Sequence, residues 1–391
     1  MTFEELKDRD SRYVIQTYGR NPIALDHGRG ATLYDLEGKE YIDFAAGIGV
    51  LSVGTAQPKW VAAVTEQAGR LAHVSNLYYT QPYIGLAEKL CARSGMAAAF
   101  FGNSGAEGNE GILKVARKYS FDKYGEGRGT VLTLNQSFHG RTMATLAATG
   151  QDALHRYFLP FPEGFRYAEP TLDSIQAVAG HDVCAVLVEL VQGEGGVYPL
   201  DRQFVQDLAQ LCRDRDWLLL ADEVQTGVGR TGSLFCFQQY GVQPDACSFA
   251  KGIAGGLPMG GFLVNEKCRS VLGPGTHGST FGGNPVCAAA ALAVLDILDD
   301  ETIAQVKEKG EYLRSQIEAM ALPGLGKTRG LGLMIGIEVA PGYSNKDLCA
   351  RLNQAGLLCL TAGPGLRLLP PLTITKEEMD KGLAVLRATL G

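Results

Sequence analysis

Short apolar runs alternate with amphipathic segments through the middle of the chain, and this alternation restricts the possible folds more than any other feature. The runs lie at 97–101, 130–134, 183–191, 217–222, 246–250 and 260–265. Segments with helical periodicity, such as 105–119 and 202–215, separate them. Strands that alternate with helices form mostly parallel sheets with helices packed on the faces. The sequence therefore predicts an α/β fold.

The two ends of the chain predict a second, smaller unit. Residues 287–320 form a long helical pattern, and the strand-like segments 329–339, 355–363 and 365–374 follow it. Near the start, "ATLYDLEG" and "EYIDFAAG" are typical of a strand pair. We expect a large domain over 51–300 and a small α+β domain over 301–391, with residues 1–50 packing on the small domain.

Composition favours small-molecule chemistry in the cytoplasm. The net charge is −6 and the basic residues are scattered, so the sequence shows no basic patch that would bind nucleic acid or an anionic membrane. The nine cysteines include no C-x-x-C pair and the six histidines no H-x-x-x-H pair, which argues against a disulfide framework or a metal site. The charged N-terminus begins with the capping-box pattern Thr2-x-x-Glu5, which predicts a short helix rather than a signal peptide.

Polar residues follow the first two runs, at the sheet edge where open α/β sheets bind ligands. The first run leads into "NSGA" before a helix, and free N–H groups at a helix start can bind phosphate. A plain helix cap is the alternative interpretation. The second run leads to Phe138 and Arg141, an aromatic face beside a guanidinium that could bind a carboxylate. A core phenylalanine and a surface arginine are the alternative there.

The third, fourth and fifth runs end in ionisable residues. Glu189 and Glu194 follow the third run, and either could be a solvated acid. Asp222 ends the fourth run, where a buried carboxylate is costly unless a cation or a hydrogen-bond donor meets it. Lys251 follows the fifth run and precedes a glycine-rich loop. Outside a functional site such a lysine reaches solvent, whereas in a pocket it loses its charge easily.

An acid, an amine and a phosphate cup together match what pyridoxal 5′-phosphate (PLP) requires of a protein. The cofactor needs a lysine to hold its aldehyde as a Schiff base and an acid to keep its ring nitrogen protonated. It also needs an anion cradle for its phosphate. We therefore interpret Lys251 as the Schiff-base lysine and Asp222 as the acid.

Ordered motifs along the chain resemble those of the class III, ornithine-type aminotransferases of fold type I. They include "NSGAEGNE", "FHGRT", "VQGEGGV", "ADEVQTGVGRTG", "AKG", "HGSTFGGNP" and "GLRLLPPLTI". The resemblance runs nearly end to end. It implies a PLP-dependent transferase with a seven-stranded, mostly parallel sheet and a smaller domain. It also implies a homodimer whose two subunits share their active sites.

Roles at the cofactor follow from the resemblance residue by residue. It implies that Lys251 also shuttles a proton between substrate and cofactor, and that Asp222 pairs with the pyridinium nitrogen. Gln225 would approach the phenolic oxygen of the ring, and Phe138 would stack on the ring. The phosphate would lie at the helix start, bound by Ser104, Gly105 and Ala106 and by Thr280 of the neighbouring subunit.

Substrate roles follow in the same way. Arg141 resembles the arginine that binds the donor's α-carboxylate, and Arg367 the one that binds the α-carboxylate of 2-oxoglutarate. Glu194 would neutralise Arg367 while the donor is bound, and Ser279 of the neighbouring subunit would lie near the substrate. Tyr18 is a further substrate-binding candidate.

The donor is predicted from one position in "FAAGIGV". Ile48 stands where ornithine-specific members carry a tyrosine that can bond the donor's free α-amino group. Isoleucine offers nothing to an ammonium group, so we expect an N-acylated donor, N-acetylornithine. Related ω-aminotransferases acting on succinylornithine, N-succinyl-diaminopimelate, ornithine or 4-aminobutyrate stay open, as do a racemase or aminomutase and a non-catalytic PLP-binding protein.

Three positions and one short segment depart from the family pattern. Gly108 and Gly111 stand in a predicted helix where alanine is usual, which costs roughly 1 kcal/mol each in helix propensity. Leu190 replaces a usual proline, and "VGTAQP" at 53–58 replaces a Gly-His-x-His-Pro pattern. We expect these changes to affect stability and the exact subfamily rather than the chemistry.

Overall fold

A computed structural model describes all 391 residues. The strands are β1 (Leu25–Arg29), β2 (Thr32–Asp35), β3 (Glu40–Asp43), β4 (Ala98–Gly102), β5 (Thr130–Leu134), β6 (Phe165–Ala168), β7 (Val183–Val188), β8 (Val191–Gln192), β9 (Tyr198–Pro199), β10 (Leu218–Asp222), β11 (Ala246–Phe249), β12 (Gly260–Val264), β13 (Leu325–Leu331), β14 (Met334–Val339), β15 (Leu357–Leu358), β16 (Leu360–Ala362) and β17 (Gly365–Leu368).

The helices cover the sheets and connect the strands. They are α1 (Phe3–Tyr13), α2 (Ala46–Gly49), α3 (Pro58–Arg70), α4 (Gln81–Ser94), α5 (Gly105–Tyr124), α6 (Met143–Ala148), α7 (Asp152–His155), α8 (Leu172–Val178), α9 (Arg202–Arg215), α10 (Phe237–Tyr240), α11 (Pro285–Ile297), α12 (Asp300–Ala319), α13 (Asn345–Ala355) and α14 (Lys376–Leu390). The capping box at Thr2 and Glu5 begins α1 as predicted. No helix has both the length and the apolar character that crossing a membrane requires.

Seven strands form the central sheet, in the order β4-β12-β11-β10-β7-β5-β6. Only β12 runs antiparallel to its neighbours, β11 and β4; the other pairs are parallel. The carboxyl ends of six strands therefore lie at one edge of the sheet. This confirms the predicted α/β fold with a mostly parallel central sheet.

All six predicted apolar runs contain strands of this sheet, but the seventh strand and a helix break were not predicted. Strand β6 is a short edge strand with the sequence FRYA, and three of its four residues are only partly buried, so it carries no apolar run. The long helical pattern at 287–320 is two helices. The side chain of Asp299 caps α12 by accepting a hydrogen bond from the Thr302 amide, so the chain turns there.

Glycines let helix α5 approach the sheet closely. A Cβ atom on Gly108 would lie 2.5 Å from the carbonyl oxygen of Gly261, and one on Gly111 would lie 2.2 Å from the ring of Phe262. Both neighbours belong to β12. The two glycines that depart from the family pattern are thus required by the packing of α5 here, which offsets their low helix propensity.

Strands from the two ends of the chain form one small sheet, in the order β1-β2-β3-β15. Strand β15 pairs in parallel with β3, with Leu357 opposite Ile42. The Ala31 amide donates to the Glu378 carboxylate at the start of α14, over 2.8 Å. A separate antiparallel sheet, β13-β14-β17-β16, completes the C-terminal part. These contacts favour packing residues 1–50 with the small domain, while the exact domain boundaries stay a prediction.

The segment after β3 is a strained turn. Four consecutive residues, Ala46–Gly49, have positive φ angles between 47° and 75°, so α2 is one left-handed turn. A left-handed conformation costs non-glycine residues about 1–2 kcal/mol each. The buried carboxylate of Asp43 helps to hold the turn by accepting hydrogen bonds from the amides of Ala45 (2.9 Å) and Ala46 (2.7 Å).

Candidate active site

A cavity of about 410 Å³ lies at the carboxyl edge of the central sheet, where the ends of β4, β7, β10 and β11 converge. Eight sequence-predicted residues line it: Ser104, Gly105, Ala106, Phe138, Arg141, Asp222, Gln225 and Lys251. They come from four different loops, and Ser104 and Lys251 are 147 positions apart in the chain. The fold thus brings the predicted acid, amine and phosphate cup into one site.

Lys251 lines this cavity from a strained backbone position. Its φ is 46°, in the left-handed region, and a 3₁₀ turn over Lys251–Ala254 follows directly. The Ser52 hydroxyl donates to the carbonyl of Gly252 over 2.6 Å and so fixes this turn. Burial lowers the pKa of Lys251, the charge of Arg367 lowers it further, and the nearby carboxylates oppose both effects. The lowered pKa favours the neutral amine, which is the form that can act as a nucleophile or base.

Asp222 is held by donors from three elements. Its Oδ2 accepts from the Asn109 amide nitrogen at 2.7 Å and lies 2.7 Å from Nδ1 of His139. Its Oδ1 accepts from the backbone N–H of Val224 at 3.0 Å. The carboxylate is only 4% exposed. These contacts meet the need of a buried carboxylate for partners and fix its orientation.

Asn109 is a site residue that the sequence did not single out, and His139, at the strand end beside Phe138 and Arg141, was given no role. Asn109 lies one helical turn after Gly105 on α5, so it faces the same edge of the sheet. Its side chain also donates to the carbonyl of His139 over 2.7 Å. The i, i+4 spacing from the predicted phosphate cup was an available signal for Asn109. For His139 the motif was visible, but its partner Asp222 lies 83 residues away.

Glu189 is a buried acid rather than a solvated one. Its carboxylate accepts from the backbone amides of Phe138 (2.8 Å) and Gly193 (3.2 Å). Burial raises the pKa of Glu189 to about 7, against the opposing effects of His139 and these two amides. Glu189 therefore fixes the loop that presents Phe138 to the cavity.

The start of α5 offers free backbone donors. Ser104 caps the helix by accepting from the amide of Glu107 at 3.2 Å, and its carbonyl accepts from the amide of Gly108. The amides of Gly105 and Ala106 have no partner within the protein. A Cβ on Gly105 would lie 2.6 Å from the side chain of Val224, so only glycine allows this approach. The geometry fits a phosphate bound at the N-terminus of a twenty-residue helix.

Arg367 and Glu194 form an ion pair beside this cavity. Nη1 of Arg367 donates to Oε1 of Glu194 at 2.7 Å and to Oε1 of Gln225 at 3.0 Å. Because Gln225 lines the cavity, the pair is continuous with it. Nε of Arg367 is buried and has no hydrogen-bond partner. A buried guanidinium with an unused donor is suited to binding a carboxylate.

Besides Arg367 and Glu194, four further predicted residues lie outside the cavity in the single chain. The Ser279 hydroxyl accepts from the side chain of Asn103 at 3.3 Å, near the cavity rim, and Thr280 is exposed. Tyr18 lines a second cavity, of about 600 Å³, next to Asp43 and Cys359. Ile48, on the left-handed turn, is 46% exposed and lines neither cavity. Their roles stay predictions.

A buried amine, a hydrogen-bonded acid and a phosphate cup at the start of a helix together define a PLP-dependent enzyme. Its fold is an α/β fold with a mostly parallel central sheet. Comparison with known families identifies it further. The chain matches the family "Aminotransferase class-III" over residues 13–390. The protein therefore belongs to the class-III aminotransferases, and its cofactor is PLP.

Relatives and solved structures agree with this assignment. An acetylornithine aminotransferase of Haemophilus ducreyi is 47% identical over all of this chain and 99% of its own, and one of Methanothermobacter thermautotrophicus is 43% identical over 99% and 98%. The crystal structure of ornithine aminotransferase from Toxoplasma gondii superposes with a TM-score of 0.95 at 31% identity, covering 100% of this chain and 95% of that chain. Acetylornithine aminotransferase from Elizabethkingia anophelis gives 0.88 at 31% identity, covering 100% and 99%.

Proposed function

We propose that the protein transfers the terminal amino group of N-acetylornithine to 2-oxoglutarate, giving N-acetylglutamate 5-semialdehyde and glutamate, a reaction of arginine biosynthesis. The Arg367–Glu194 pair beside Lys251 carries this proposal, because it offers a carboxylate site that a neighbouring acid can neutralise. The names of the relatives, acetylornithine aminotransferases at 41–47% identity, support the choice of donor.

Side chains of this site would hold the cofactor at three points. Asp222 would face the ring nitrogen, the amides of Gly105 and Ala106 would bind the phosphate, and Phe138 would cover one face of the ring. Gln225, which lines the cavity, would approach the ring's phenolic oxygen. Bound PLP supplies a pyridinium ring that accepts negative charge from the carbon that loses a proton.

Lys251 moves that proton. Burial and the charge of Arg367 favour the neutral amine, which can accept a proton at its Nζ from the reacting carbon and then return it. Its fixed backbone turn limits where Nζ can reach. The network of Asn109 and His139 keeps Asp222 oriented while charge develops on the ring.

Two substrates use the same cavity in turn. Arg141 lies at the cavity wall with its guanidinium 5.5 Å from the ring centroid of Phe138, where it would bind the donor's α-carboxylate. With the donor bound, Glu194 would keep Arg367 paired. With 2-oxoglutarate bound, Glu194 would move aside and Arg367 would bind the α-carboxylate. This exchange lets one site accept both a long amine and a diacid.

We infer further that the enzyme works as a homodimer in the cytoplasm. An exposed apolar stretch supports the dimer, since Leu77, Tyr78 and Tyr79 are 71–97% exposed and Phe281, next to Thr280, is 63% exposed. Side-chain hydrogen bonds from Asn76 to the carbonyls of Ser279 and Gly282 link these two segments. Ser279 and Thr280 of the neighbouring subunit would then complete each site. Nine free thiols are typical of a reducing compartment.

A donor panel tests the proposed function. Purified protein with PLP and 2-oxoglutarate receives N-acetylornithine, succinylornithine, N-succinyl-diaminopimelate, ornithine or 4-aminobutyrate, and glutamate formation is measured. We expect N-acetylornithine to give the highest kcat/KM and Lys251→Ala to be inactive. Free ornithine is the second candidate, because the Toxoplasma ornithine aminotransferase superposes so closely. A higher kcat/KM for any other donor would replace the proposed substrate.

A further inference from the structure

Two cysteines outside the active site lie in contact. The Sγ atoms of Cys349 and Cys359 are 3.8 Å apart. Cys349 belongs to helix α13 and is partly exposed, whereas Cys359, between β15 and β16, is 2% exposed. Cys359 also lines the second cavity, beside Tyr18. The pair therefore combines a thiol that solvent reaches with a buried thiol directly behind it.

The surroundings of the pair make its outer thiol the more reactive one. The side-chain amide of Asn353 donates to Sγ of Cys349 at 3.6 Å and accepts from the amide of Cys359 at 2.8 Å. The contact with Cys359 lowers the pKa of Cys349, whereas the pKa of every other cysteine of the chain is raised. Since the thiolate is the attacking species, Cys349 reacts first.

We propose that Cys349 and Cys359 form a reversible redox modification site, closed by a low-molecular-weight disulfide such as oxidised glutathione. The Cys349 thiolate attacks one sulfur of the oxidant, whose S–S bond breaks, and one small thiol leaves after taking a proton from water. Cys359 then loses its proton, attacks the Cys349 sulfur and expels the second small thiol. Overall, two protein thiols lose two electrons and one oxidant disulfide becomes two thiols. An excess of small thiol reverses both steps.

Formation of the Cys349–Cys359 disulfide is expected to move strand β16, which pairs with the strand that carries Arg367. A disulfide requires the two sulfurs to approach from 3.8 Å to about 2 Å, and we expect this closure to draw the chain at Cys359 toward α13. Leu360, the next residue, pairs with Arg367 across β16 and β17. On the other side, the carbonyl of Leu358 accepts from the amide of Phe44. We therefore expect oxidation to disturb Arg367 more than residues on the central sheet.

The experiment uses four proteins, each as the holoenzyme: wild type, Cys349→Ser, Cys359→Ser and the control Cys91→Ser. Cys91, on α4, is another partly exposed cysteine. Each is incubated with oxidised glutathione, alkylated, digested and analysed by mass spectrometry. Wild type and the control should give a peptide joining positions 349 and 359, lost on treatment with dithiothreitol. Cys359→Ser should stop at a glutathione adduct on Cys349. Absence of the joined peptide from wild type would overturn the site.

A kinetic measurement tests the link to Arg367 and, unlike the peptide result, rests on the proposed function. Oxidised wild type should show a KM for 2-oxoglutarate raised at least about threefold, and the oxidised Cys359→Ser variant should not. A joined peptide with an unchanged KM would overturn the link to Arg367 alone. A protein that transaminates no donor would reject the proposed function, while the peptide result would still decide the modification site.

Discussion

Arg367 and Glu194 are unequally buried partners of one ion pair. Their closest approach is 2.7 Å, yet the arginine side chain is 3% exposed and the glutamate side chain 32%. Arg367 lies on β17 and is also held by Gln225, whereas Glu194 lies in the loop between β8 and β9. The glutamate is therefore the partner that can move while the arginine stays in place.

Replacing Glu194 should favour the binding of 2-oxoglutarate over the use of N-acetylornithine. In Glu194→Gln, Arg367 keeps its charge but loses its neutralising partner, so we expect KM for 2-oxoglutarate to fall several-fold. The kcat/KM for N-acetylornithine should fall by about tenfold, or roughly 1.4 kcal/mol. Steady-state kinetics with each substrate varied measures both. The control Glu338→Gln, which breaks the more exposed pair with Arg329, should leave both constants unchanged. Equal effects on the two substrates would contradict a switching role.

Asp222→Asn should retain the cofactor and lose at least about 100-fold in kcat. An amide can keep the hydrogen bond from the Val224 amide, but it cannot stabilise a protonated ring nitrogen. Asp222→Glu should lose less, because it keeps the charge. Visible absorbance of the bound cofactor and single-turnover rates separate binding from chemistry. Near-wild-type turnover in Asp222→Asn would make Asp222 a structural acid only.

The donor preference is expected to depend on Ile48. N-acetylornithine should exceed free ornithine by at least about tenfold in kcat/KM, which is roughly 1.4 kcal/mol of transition-state discrimination. Ile48→Tyr should narrow this gap and Ile48→Leu, as the matched apolar control, should not. Arg141→Ala should weaken both donors while affecting the glutamate half-reaction less. Equal wild-type rates with the two donors would reject an acyl-selective pocket.

Gly111→Ala should destabilise the protein by about 1–3 kcal/mol, because the added methyl group overlaps the ring of Phe262. The control is Gly85→Ala on α4, where the nearest atom to the new Cβ is 3.9 Å away. That variant should be unchanged or more stable by up to about 1 kcal/mol, from helix propensity. Denaturant unfolding monitored by circular dichroism compares the two. A Gly111→Ala protein as stable as wild type would mean that α5 tolerates a wider spacing from β12.

Buried Glu223 should make stability depend on pH. Burial raises the pKa of Glu223 from 4.5 to about 7, even though Thr226 and two backbone amides donate to it. Between these values the folded chain keeps a proton that the unfolded chain has released. The contribution of Glu223 to stability is thus fully present below about pH 4.5, falls as pH rises to about 7, and is constant above that.

The variant Glu223→Gln isolates this effect, because the glutamine side chain does not ionise and adds no pH dependence to the free energy of unfolding. The free energy of unfolding of wild type relative to Glu223→Gln should be about 2 kcal/mol larger at pH 5 than at pH 8. Unfolding in urea at both pH values measures it. The exposed Glu126→Gln is the control and should show no such difference. A difference of the opposite sign would show that Glu223 is charged in the folded protein at pH 5.

Burial explains how much of the fold could be predicted from the sequence. The strands of the central sheet that are buried on both faces, such as β5, β7 and β10, appear as unbroken apolar runs. Edge strand β6 and the two-residue strand β9 carry no such pattern, and β8 begins only at the last residue of the run at 183–191. The pairing of β3 with β15 could not be predicted from local sequence patterns, because it depends on contacts between the two ends of the chain.

The site residues could be predicted where an ionisable residue stands at the end of an apolar run. Asp222 and Lys251 stand out because each follows a buried strand. Asn109 is part of an ordinary helical pattern, and its role arises only from a contact with a strand 113 residues later. Ile48 and Tyr18 came from resemblance alone, and both are exposed in the single chain.

The pairing of the chain's two ends has a consequence for synthesis on the ribosome. Ala31 and Glu378, which bond in the folded protein, are 347 residues apart. At about 5–20 residues per second, some 20–70 s pass between their translation. During that time β3 has an open edge with no β15 to cover it, and open strand edges invite pairing with other chains. We therefore expect the first fifty residues to stay open to such pairing, and to binding by chaperones, until the C-terminal strands have been made.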